Sequence, residues 1–324
     1  MLILDRDFVR THLTYAACIP LMREAMSALS RGETRQPLRS IVPLDQGRAF
    51  GVMPGALSAD GVFGAKLVSV YPENHAKGLQ SHQGAVALFD PETGVLSALV
   101  HAGEVTGIRT AAASAAASLI LARPDASRLA VLGTGEQAAA HVRAFHVAFS
   151  LSSVTIWGRS MARAVALAAH LSQETGLPIV AAPSVAEAVA AADMICTTTA
   201  SAQPILRATD VPSGCHVNLV GSSYDGPVEA DDDLVACARF IADSRAGVLA
   251  QGAEFLSAKR AGRVDDDHVV AEIGEVFLGL KPGRTSKQEI TVYKSLGHVA
   301  QDLASARYLL DLARGLNQGV QVPF

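Results

Sequence analysis

The spacing of hydrophobic residues changes along the chain and predicts where its elements lie. Apolar residues recur at helical spacing over residues 14–31, and Gly32 follows as a stop signal. Short β-prone runs separated by turn residues then predict a mostly antiparallel sheet, with runs at 39–42, 49–53, 62–71, 85–89 and 95–100. Residues 91–94 predict a hairpin turn between the last two runs. An Ala-rich helix is expected over residues 104–122.

From residue 128 onward, strand-like and helix-like segments alternate. The predicted strands are 129–132, 154–157, 179–181, 194–197, 217–220, 240–242 and 290–293. The predicted helices are 136–149, 160–175, 184–191, 245–260 and 298–315. Strict alternation is typical of a doubly wound parallel sheet. We therefore predict an α/β chain in which 118–297 form a Rossmann domain, while 1–117 and 298–324 form a smaller α+β domain.

Composition agrees with two globular domains and excludes several classes of partner. The chain has 324 residues, of which 49% are hydrophobic and only 5% aromatic, so Ala, Val, Leu and Ile must build the cores. A net charge of −4 argues against nucleic acid or an anionic membrane as a partner. The four cysteines form no metal-binding pattern and are interpreted as small core residues. With no apparent signal peptide or membrane span, we expect a cytoplasmic protein without a metal site.

A glycine-rich loop follows the first strand of the alternating region. Strand 129–132 leads directly into a G-x-G-x-x-A motif formed by Gly133, Thr134, Gly135, Glu136, Gln137 and Ala138. Gly133 allows a tight turn, Gly135 lets the backbone approach a pyrophosphate, and the helix N-terminus supplies amide donors. Because strand, loop and helix occur in the required order, the motif predicts a dinucleotide cofactor.

The end of the second strand indicates which dinucleotide is bound. An NAD enzyme usually has a carboxylate there for the ribose hydroxyls. Here the chain has Gly158, Arg159, Ser160 and Arg163 instead. Arginines pair well with a 2′-phosphate, so we predict NADPH, with NADH as a weaker cofactor. The alternative is a helix-capping serine beside two solvated arginines.

Three cations and one histidine of the first region are candidates for substrate chemistry. Lys66, Arg39 and Arg109 lie in largely apolar contexts, where an unpaired charge is costly. They either converge on a substrate carboxylate or form separate ion pairs with Asp or Glu. His82 is expected in a turn before a strand, where it either donates a proton near neutral pH or is simply exposed.

Taken together, these segments resemble the ornithine cyclodeaminase/μ-crystallin family along nearly the whole chain. The resemblance rests on GAKLVSVYPEN at 64–74, SHQ at 81–83, RTAA at 109–112, GTGEQA at 133–138, VNLVG at 217–221 and KSLG at 294–297. It implies a homodimer of two-domain subunits, in which the N-terminal segment and the last helix form the dimerisation and substrate domain. It also implies that Arg39, Lys66 and Arg109 hold the substrate carboxylate and that the Ser81 hydroxyl lies near the substrate. The predicted cofactor set further includes Thr198, Val220 and Ser295.

One position separates the branches of that family. Cyclodeaminases usually carry an aspartate where this chain has Ser223, and the ketimine reductase branch has serine there. The resemblance therefore implies reduction of a cyclic ketimine carboxylate, either Δ1-pyrroline-2-carboxylate to L-proline or Δ1-piperideine-2-carboxylate to L-pipecolate. Lys66, Arg109, Ser223 and His82 are the catalytic candidates, with the proton supplied by His82 or by a water on Ser223.

Three other functions stay open at the level of sequence. An ornithine or lysine cyclodeaminase would need Asp225 to replace the missing aspartate, which the flexible Gly226 would allow. An alanine or opine-type dehydrogenase would act on an open-chain imine and require added amine. A non-catalytic NADPH-binding protein would bind the cofactor without turning over any imine.

Overall fold

The computed structural model describes residues 1–57 and 61–323 of the chain, which divides into two compact units. The first unit is Met1–Arg109 with His298–Phe324, and the second is Thr110–Gly297. Residues 58–60 and 324, which belong to the predicted first domain, lie outside the described part. The division between the units and the predicted division after residue 117 both fall within one helix, Ala102–Leu121.

The elements follow the order expected from the hydrophobic pattern. The first stretch contains β1 (Leu2–Leu4), α1 (Arg6–His12), α2 (Tyr15–Ser30), β2 (Thr34–Arg35), β3 (Ser40–Pro43), β4 (Ala49–Leu57), β5 (Val62–Val70), β6 (His82–Phe89), β7 (Leu96–His101) and α3 (Ala102–Leu121). The second contains β8 (Arg128–Leu132), α4 (Glu136–Ala148), β9 (Ser153–Trp157), α5 (Met161–Thr175), β10 (Ile179–Ala181), α6 (Val185–Val189), β11 (Met194–Thr197), β12 (His216–Leu219), α7 (Asp232–Cys237), β13 (Arg239–Ala242), α8 (Arg245–Gln251), α9 (Ala253–Arg260), β14 (Val269–Glu272), α10 (Ile273–Phe277) and β15 (Thr291–Lys294). The chain returns to the first unit with α11 (Val299–Leu316) and β16 (Val320–Gln321).

The sheet of the first unit has the order β16-β1-β7-β6-β5-β4-β2, and β3 pairs with β4. Its pairs are antiparallel except for β1 with β7. Helix α11 packs against α2 and against β4, β5 and β6, so that one face of these strands is covered. This face lies over the core and includes Met53, Lys66, Val68, Val86 and Leu88.

Local signals account for the elements that were predicted in this unit. Thr14 caps α2 by accepting a hydrogen bond from the Ala17 amide, and Gly32 follows the helix with a φ of 74°. In the predicted hairpin turn, the Asp90 carboxylate accepts hydrogen bonds from backbone amides, and Gly94 has a φ of 71°. Elements β1 and α1 were not predicted, because they are too short to give a clear periodic pattern.

The second unit is a doubly wound parallel sheet with the order β10-β9-β8-β11-β12-β15-β13-β14. All its pairs are parallel, as predicted from the strict alternation of strands and helices. The strand order reverses between β8 and β11. In open parallel sheets, ligands bind outside the carboxyl ends of the strands at such a switch point.

Several predictions for the second unit were wrong in detail. Strand β14 and helices α7 and α10 were missed, since all three are very short. The single helix predicted over 245–260 is two helices, α8 and α9, separated by Gly252. Gly252 has a ψ of 94°, and a Cβ there would lie 2.8 Å from the Val248 carbonyl oxygen. The lack of a side chain therefore lets the chain change direction at this point.

The cysteines depart from the sequence expectation at one position. Cys18, Cys196 and Cys215 are buried, but Cys237 is exposed. It is the last residue of the short helix α7, whose buried side chains are Leu234 and Val235. Within the described residues, no helix is both long and apolar enough to cross a membrane. Those residues also include no group of three or more His, Cys, Asp or Glu side chains suited to a metal ion.

Candidate functional site

Two of the three predicted cations of the first unit meet on one buried carboxylate. The Lys66 Nζ lies 3.2 Å from Asp302 Oδ1, and the Arg109 Nε lies 3.0 Å from the same oxygen. The side chains of Lys66, Arg109 and Asp302 are 3%, 5% and 0% exposed. Lys66 and Arg109 therefore share one partner and do not form separate ion pairs. Two buried positive charges against one negative charge leave an excess suited to an anionic ligand.

The electrostatics of this cluster are strongly perturbed. Burial lowers the pKa of Lys66 to about 8, Asp302 opposes that shift, and the positive charges of Arg109 and Arg39 add to it. Burial alone would raise the pKa of Asp302, but the charges of Arg109 and Lys66 hold it below its ordinary value. Asp302 is thus ionised, and Lys66 is mostly protonated at neutral pH. Perturbed groups of this kind are common where a protein binds or transforms a ligand.

Three residues at the start of α11 belong to the cluster and were missed by sequence reasoning. They are His298, Gln301 and Asp302. The Arg109 Nη1 donates to Gln301 Oε1 at 2.8 Å. Burial lowers the pKa of His298 to about 4; Asp302 opposes this shift, and Arg39 and Arg109 favour it. A signal for Asp302 was present, since this acid lies on the apolar stripe of the last helix, among buried side chains such as Leu303 and Leu309.

The predicted Ser81 and His82 lie elsewhere on the same sheet. His82 is the first residue of β6 and pairs with Val70 of β5, so the prediction that it lies in a turn was wrong. Ser81 and Gly84 are residues that favour turns, but β6 already begins at His82, before its apolar residues. The Ser81 Oγ lies 3.0 Å from His82 Nδ1. Lys66 pairs with Val86 of β6, which lies four positions after His82. Four positions along a strand correspond to roughly 13 Å.

The glycine-rich loop of the second unit lies between β8 and α4. Gly133 has a φ of 140°, and a Cβ there would lie 2.5 Å from Thr198 Oγ1. A Cβ on Gly135 would meet no atom within 4 Å, and Gly135 caps α4 without a side-chain hydrogen bond. The loop therefore combines a backbone held tightly on one side with open space at the amides of a helix N-terminus. This geometry fits the pyrophosphate of a dinucleotide.

The predicted phosphate-selecting residues follow β9 in the same unit. A Cβ on Gly158 would lie 2.5 Å from Thr134 Cγ2, so the two loops are in close contact. The Ser160 Oγ caps α5 by accepting from the Arg163 amide at 3.4 Å. Arg159, Ser160 and Arg163 are exposed. Within residues 1–57 and 61–323, neither guanidinium forms an ion pair, which leaves both available to a phosphate.

A buried glutamate joins the ends of β11 and β12, and it was not predicted. Glu229 accepts from Thr197 Oγ1 at 2.6 Å, from Thr199 Oγ1 at 2.7 Å and from the Gly221 amide at 2.7 Å. Burial raises the pKa of Glu229, and the nearby charge of Glu254 acts in the same direction. These bonds hold the segments that carry the predicted cofactor residues. No local sequence pattern marks Glu229, which lies in a loop.

Those predicted residues lie at the carboxyl ends of neighbouring strands. Thr198 donates from Oγ1 to the Leu132 carbonyl at 3.1 Å. The Val220 amide donates to the Thr197 carbonyl at 3.1 Å, and the Ser295 amide donates to the Leu219 carbonyl at 3.0 Å. Thr198, Val220 and Ser295 are therefore held at the carboxyl ends of β11, β12 and β15, and Thr198 lies at the switch point between β8 and β11.

Ser223 and Asp225 differ in their surroundings. Ser223 is half-buried in the loop after β12. Lys294 stabilises that loop, because its Nζ donates a hydrogen bond to the Ser222 carbonyl at 2.6 Å. The same Nζ forms an ion pair with Glu254 at 2.6 Å. The Asp225 carboxylate is exposed and accepts hydrogen bonds from both terminal nitrogens of Arg260, at 2.8 and 3.1 Å.

Known proteins resemble this chain over nearly its full length. The model of the ornithine cyclodeaminase/mu-crystallin family matches residues 1–317. The ketimine reductase mu-crystallin of Rattus norvegicus is 36% identical over 313 residues, which cover 95% of this chain and 96% of the rat protein.

Two solved structures have the same fold throughout. The Δ(1)-pyrroline-2-carboxylate reductase of Thermococcus litoralis, in complex with NADH and L-proline, superimposes with a TM-score of 0.96 at 29% identity, covering 99% of this chain and 100% of that one. An archaeal alanine dehydrogenase dimer with bound NAD gives a TM-score of 0.93 at 29% identity, covering 100% and 99%. On the family match and the rat relative, this chain belongs to the ornithine cyclodeaminase/mu-crystallin family.

Proposed function

We propose that the protein is an NAD(P)H-dependent oxidoreductase that reduces the C=N bond of a cyclic ketimine carboxylate. The substrates would be Δ1-pyrroline-2-carboxylate, giving L-proline, or Δ1-piperideine-2-carboxylate, giving L-pipecolate. The observation that carries this proposal is the pair of buried cations, Lys66 and Arg109, which share the single carboxylate of Asp302. The rat relative is a ketimine reductase, and the Thermococcus structure holds L-proline, a cyclic amino acid with one carboxylate.

In this proposal the residues of the first unit bind and orient the imine. The imine carboxylate binds to Arg39, Lys66 and Arg109. Because C2 is bonded directly to this carboxylate, binding there fixes the position of C2. For this arrangement the imine ring must extend from the cations along β6 toward Ser81 and His82, of which His82 lies four positions from the residue paired with Lys66. His82 or a water on Ser223 would then supply a proton to the ring nitrogen. When bound, the nicotinamide supplies the hydride that reduces C2.

The cofactor we propose is NADPH, held by the second unit. Gly133, Thr134, Gly135, Glu136 and Gln137 surround the pyrophosphate at the N-terminus of α4. The 2′-phosphate is taken by Arg159, Ser160 and Arg163, next to Gly158. Support comes from the exposure of both arginines and from the absence of a carboxylate between residues 157 and 163.

Replacing Arg159 by aspartate is expected to reverse the cofactor preference. One charge-assisted contact is worth about 1.5–3 kcal/mol, so NADPH affinity should fall by roughly tenfold or more. NADH affinity should be kept or improved, because the new carboxylate can bind the ribose hydroxyls. Titration of both nucleotides against parent and variant measures this. Equal affinities of the parent for NADPH and NADH would contradict the proposal.

The decisive assay follows NADPH absorbance with each cyclic imine, in parallel with ammonia release from ornithine and lysine. We expect stoichiometric NADPH consumption with an imine, and no ammonia from either diamine in the presence of catalytic NAD. The reason lies at residue 223, where a serine hydroxyl without a base cannot accept a proton near neutral pH. Asp225 is already bound by both terminal nitrogens of Arg260. Ammonia release that disappears in Asp225→Asn would identify a cyclodeaminase.

A second candidate is reduction of an open-chain imine, as in an alanine dehydrogenase. The observation in its favour is the archaeal alanine dehydrogenase, which has the same fold along the whole chain. The carboxylate of such an imine would meet the same cations. NADPH oxidation with pyruvate and ammonia tests it: a higher kcat/KM there than with either cyclic imine would favour this function.

We also propose a homodimer formed through the open face of the first sheet. Opposite the face covered by α11, strands β3, β4 and β5 present Val42, Phe50, Phe63 and Leu67, which are 49%, 38%, 36% and 38% exposed. A contiguous apolar surface of this kind is typical of a protein interface. Analytical ultracentrifugation measures the oligomeric state.

A further inference from the structure

The first turn of α11 holds both buried cations of the first unit in fixed positions. Asp302 Oδ1 accepts from Lys66 Nζ at 3.2 Å and from Arg109 Nε at 3.0 Å. The neighbouring Gln301 accepts from Arg109 Nη1 at 2.8 Å. Asp302 is fully buried, so water does not weaken these bonds.

This arrangement leaves a defined set of donors for a ligand. In Arg109, Nε donates a hydrogen bond to Asp302 and Nη1 donates one to Gln301. The third nitrogen, Nη2, has no hydrogen-bond partner in the part of the chain that the structure describes. Lys66 uses one of its three N–H donors for Asp302. A carboxylate has two oxygens, each able to accept from such donors. The side chains of α11 thus decide which nitrogens of the cations stay available.

We propose that Asp302 is a positioning residue of the substrate site: it orients Lys66 and Arg109 for the imine carboxylate and keeps Lys66 protonated. This inference rests on the proposed function, because it assigns Asp302 to the same carboxylate site. Asp302 itself does not touch the substrate; it acts through the two cations.

The charges around Lys66 give the sign of the expected pH effect. Asp302 on α11 is the group that favours the ammonium, whereas Arg109 on α3 and Arg39 before β3 disfavour it. His298, at the start of α11, has a pKa lowered to about 4 by burial and is therefore neutral near pH 7. The pKa of Lys66 is already lowered to about 8. Without Asp302 the pKa of Lys66 falls further, so Lys66 loses its proton at a lower pH than in the parent protein.

The test compares Asp302→Asn with a matched control on the same helix, Asp311→Asn. Asp311 is exposed and pairs with Arg307. For each variant, kcat and KM for Δ1-pyrroline-2-carboxylate are measured across the pH range and divided by the parent values, which cancels the titration of the imine itself. For Asp302→Asn we expect KM to rise about tenfold or more near the Lys66 pKa, with a smaller rise at lower pH. NADPH affinity should stay at the parent value, and Asp311→Asn should match the parent throughout.

A second variant, Asp302→Glu, guards against a failure of Asp302→Asn to fold. It keeps the charge but moves it by one methylene, so the pH profile should stay parental while KM rises. A merely structural residue would reduce folded protein without moving the pH profile. Parental KM and pH profile in either folded variant would overturn the inference.

Binding of pyrrole-2-carboxylate, a flat carboxylate of similar ring size, separates this inference from the proposed function. If the parent binds this probe and reduces no imine, the proposed function fails. Weaker probe binding by Asp302→Asn, with Asp311→Asn unchanged, would then still support the positioning role. Equal probe binding by both variants and the parent would refute it.

Discussion

Arg109→Met is expected to lower kcat/KM for the cyclic imine by about 10- to 100-fold, with NADPH binding retained. The guanidinium supplies the free nitrogen for the substrate carboxylate, and a hydrogen bond between charged groups is worth about 1.5–3 kcal/mol. NADPH binding should be retained, because the glycine-rich loop belongs to the second unit. Steady-state kinetics with the imine and titration of NADPH measure the two effects separately.

The same change should also lower the free energy of unfolding. Asp302 would keep Lys66 as a cationic partner, so the loss should stay below the about 3–5 kcal/mol that an uncompensated buried charge costs. Arg307→Met is the matched control, because Arg307 is half-buried and pairs with the exposed Asp311 on the same helix, α11. Its effect on stability should stay within about 0.5 kcal/mol. A folded Arg109→Met protein with parental kcat/KM would show that the cation is purely structural.

Gly133→Ala is expected to abolish most nucleotide binding and to destabilise the second unit. Gly133 has a φ of 140°, and its new Cβ would lie 2.5 Å from Thr198 Oγ1 and 2.8 Å from the Thr198 carbonyl oxygen. Holding a non-glycine residue in such a conformation costs about 1–3 kcal/mol. The loop must shift to relieve the contact, which moves the amides away from the pyrophosphate. Thermal unfolding and NADPH titration report the two losses.

Gly135→Ala should separate those two effects. Gly135 has an ordinary extended conformation, and its Cβ would meet nothing within 4 Å, so the stability should stay at the parent value. The new methyl group would instead occupy the space through which the backbone approaches the pyrophosphate. NADPH affinity should fall by about tenfold or more, as for the loss of a hydrogen bond to a charged group. Parental affinity in this variant would exclude the loop as the pyrophosphate site.

The regular elements could be predicted because their causes are local. The β-prone runs of β4 and β5, the helical spacing of α2 and the turn chemistry around Asp90 each depend on residues within a short segment of the chain. The glycine-rich loop is equally local, since strand, turn and helix follow directly along the chain. Short elements such as β1, α1 and β14 were missed because a few residues cannot show a period.

The partners of the candidate residues could not be predicted in the same way. Lys66 and Arg109 are buried, as their apolar sequence context suggests, whereas Arg39 is only half-buried. Nothing near Lys66 or Arg109 in the chain indicates that they share Asp302. Asp302 lies 236 residues from Lys66 and 193 residues from Arg109. Glu229 likewise joins two strand ends and lies 32 residues from Thr197.

By itself, the sequence determined the class of the fold, the order of the main elements and the place of the nucleotide loop. These properties depend on backbone conformation and on the burial pattern of neighbouring residues, which act over short distances along the chain. Only the tertiary structure decided that Lys66 and Arg109 meet on Asp302, that His82 belongs to a strand, and that Arg260 holds Asp225. The hydrogen-bond partner of a buried charge or of a strand end is the group that the packing of distant segments brings within hydrogen-bond distance. That partner therefore depends on the tertiary structure and not on neighbouring residues in the chain.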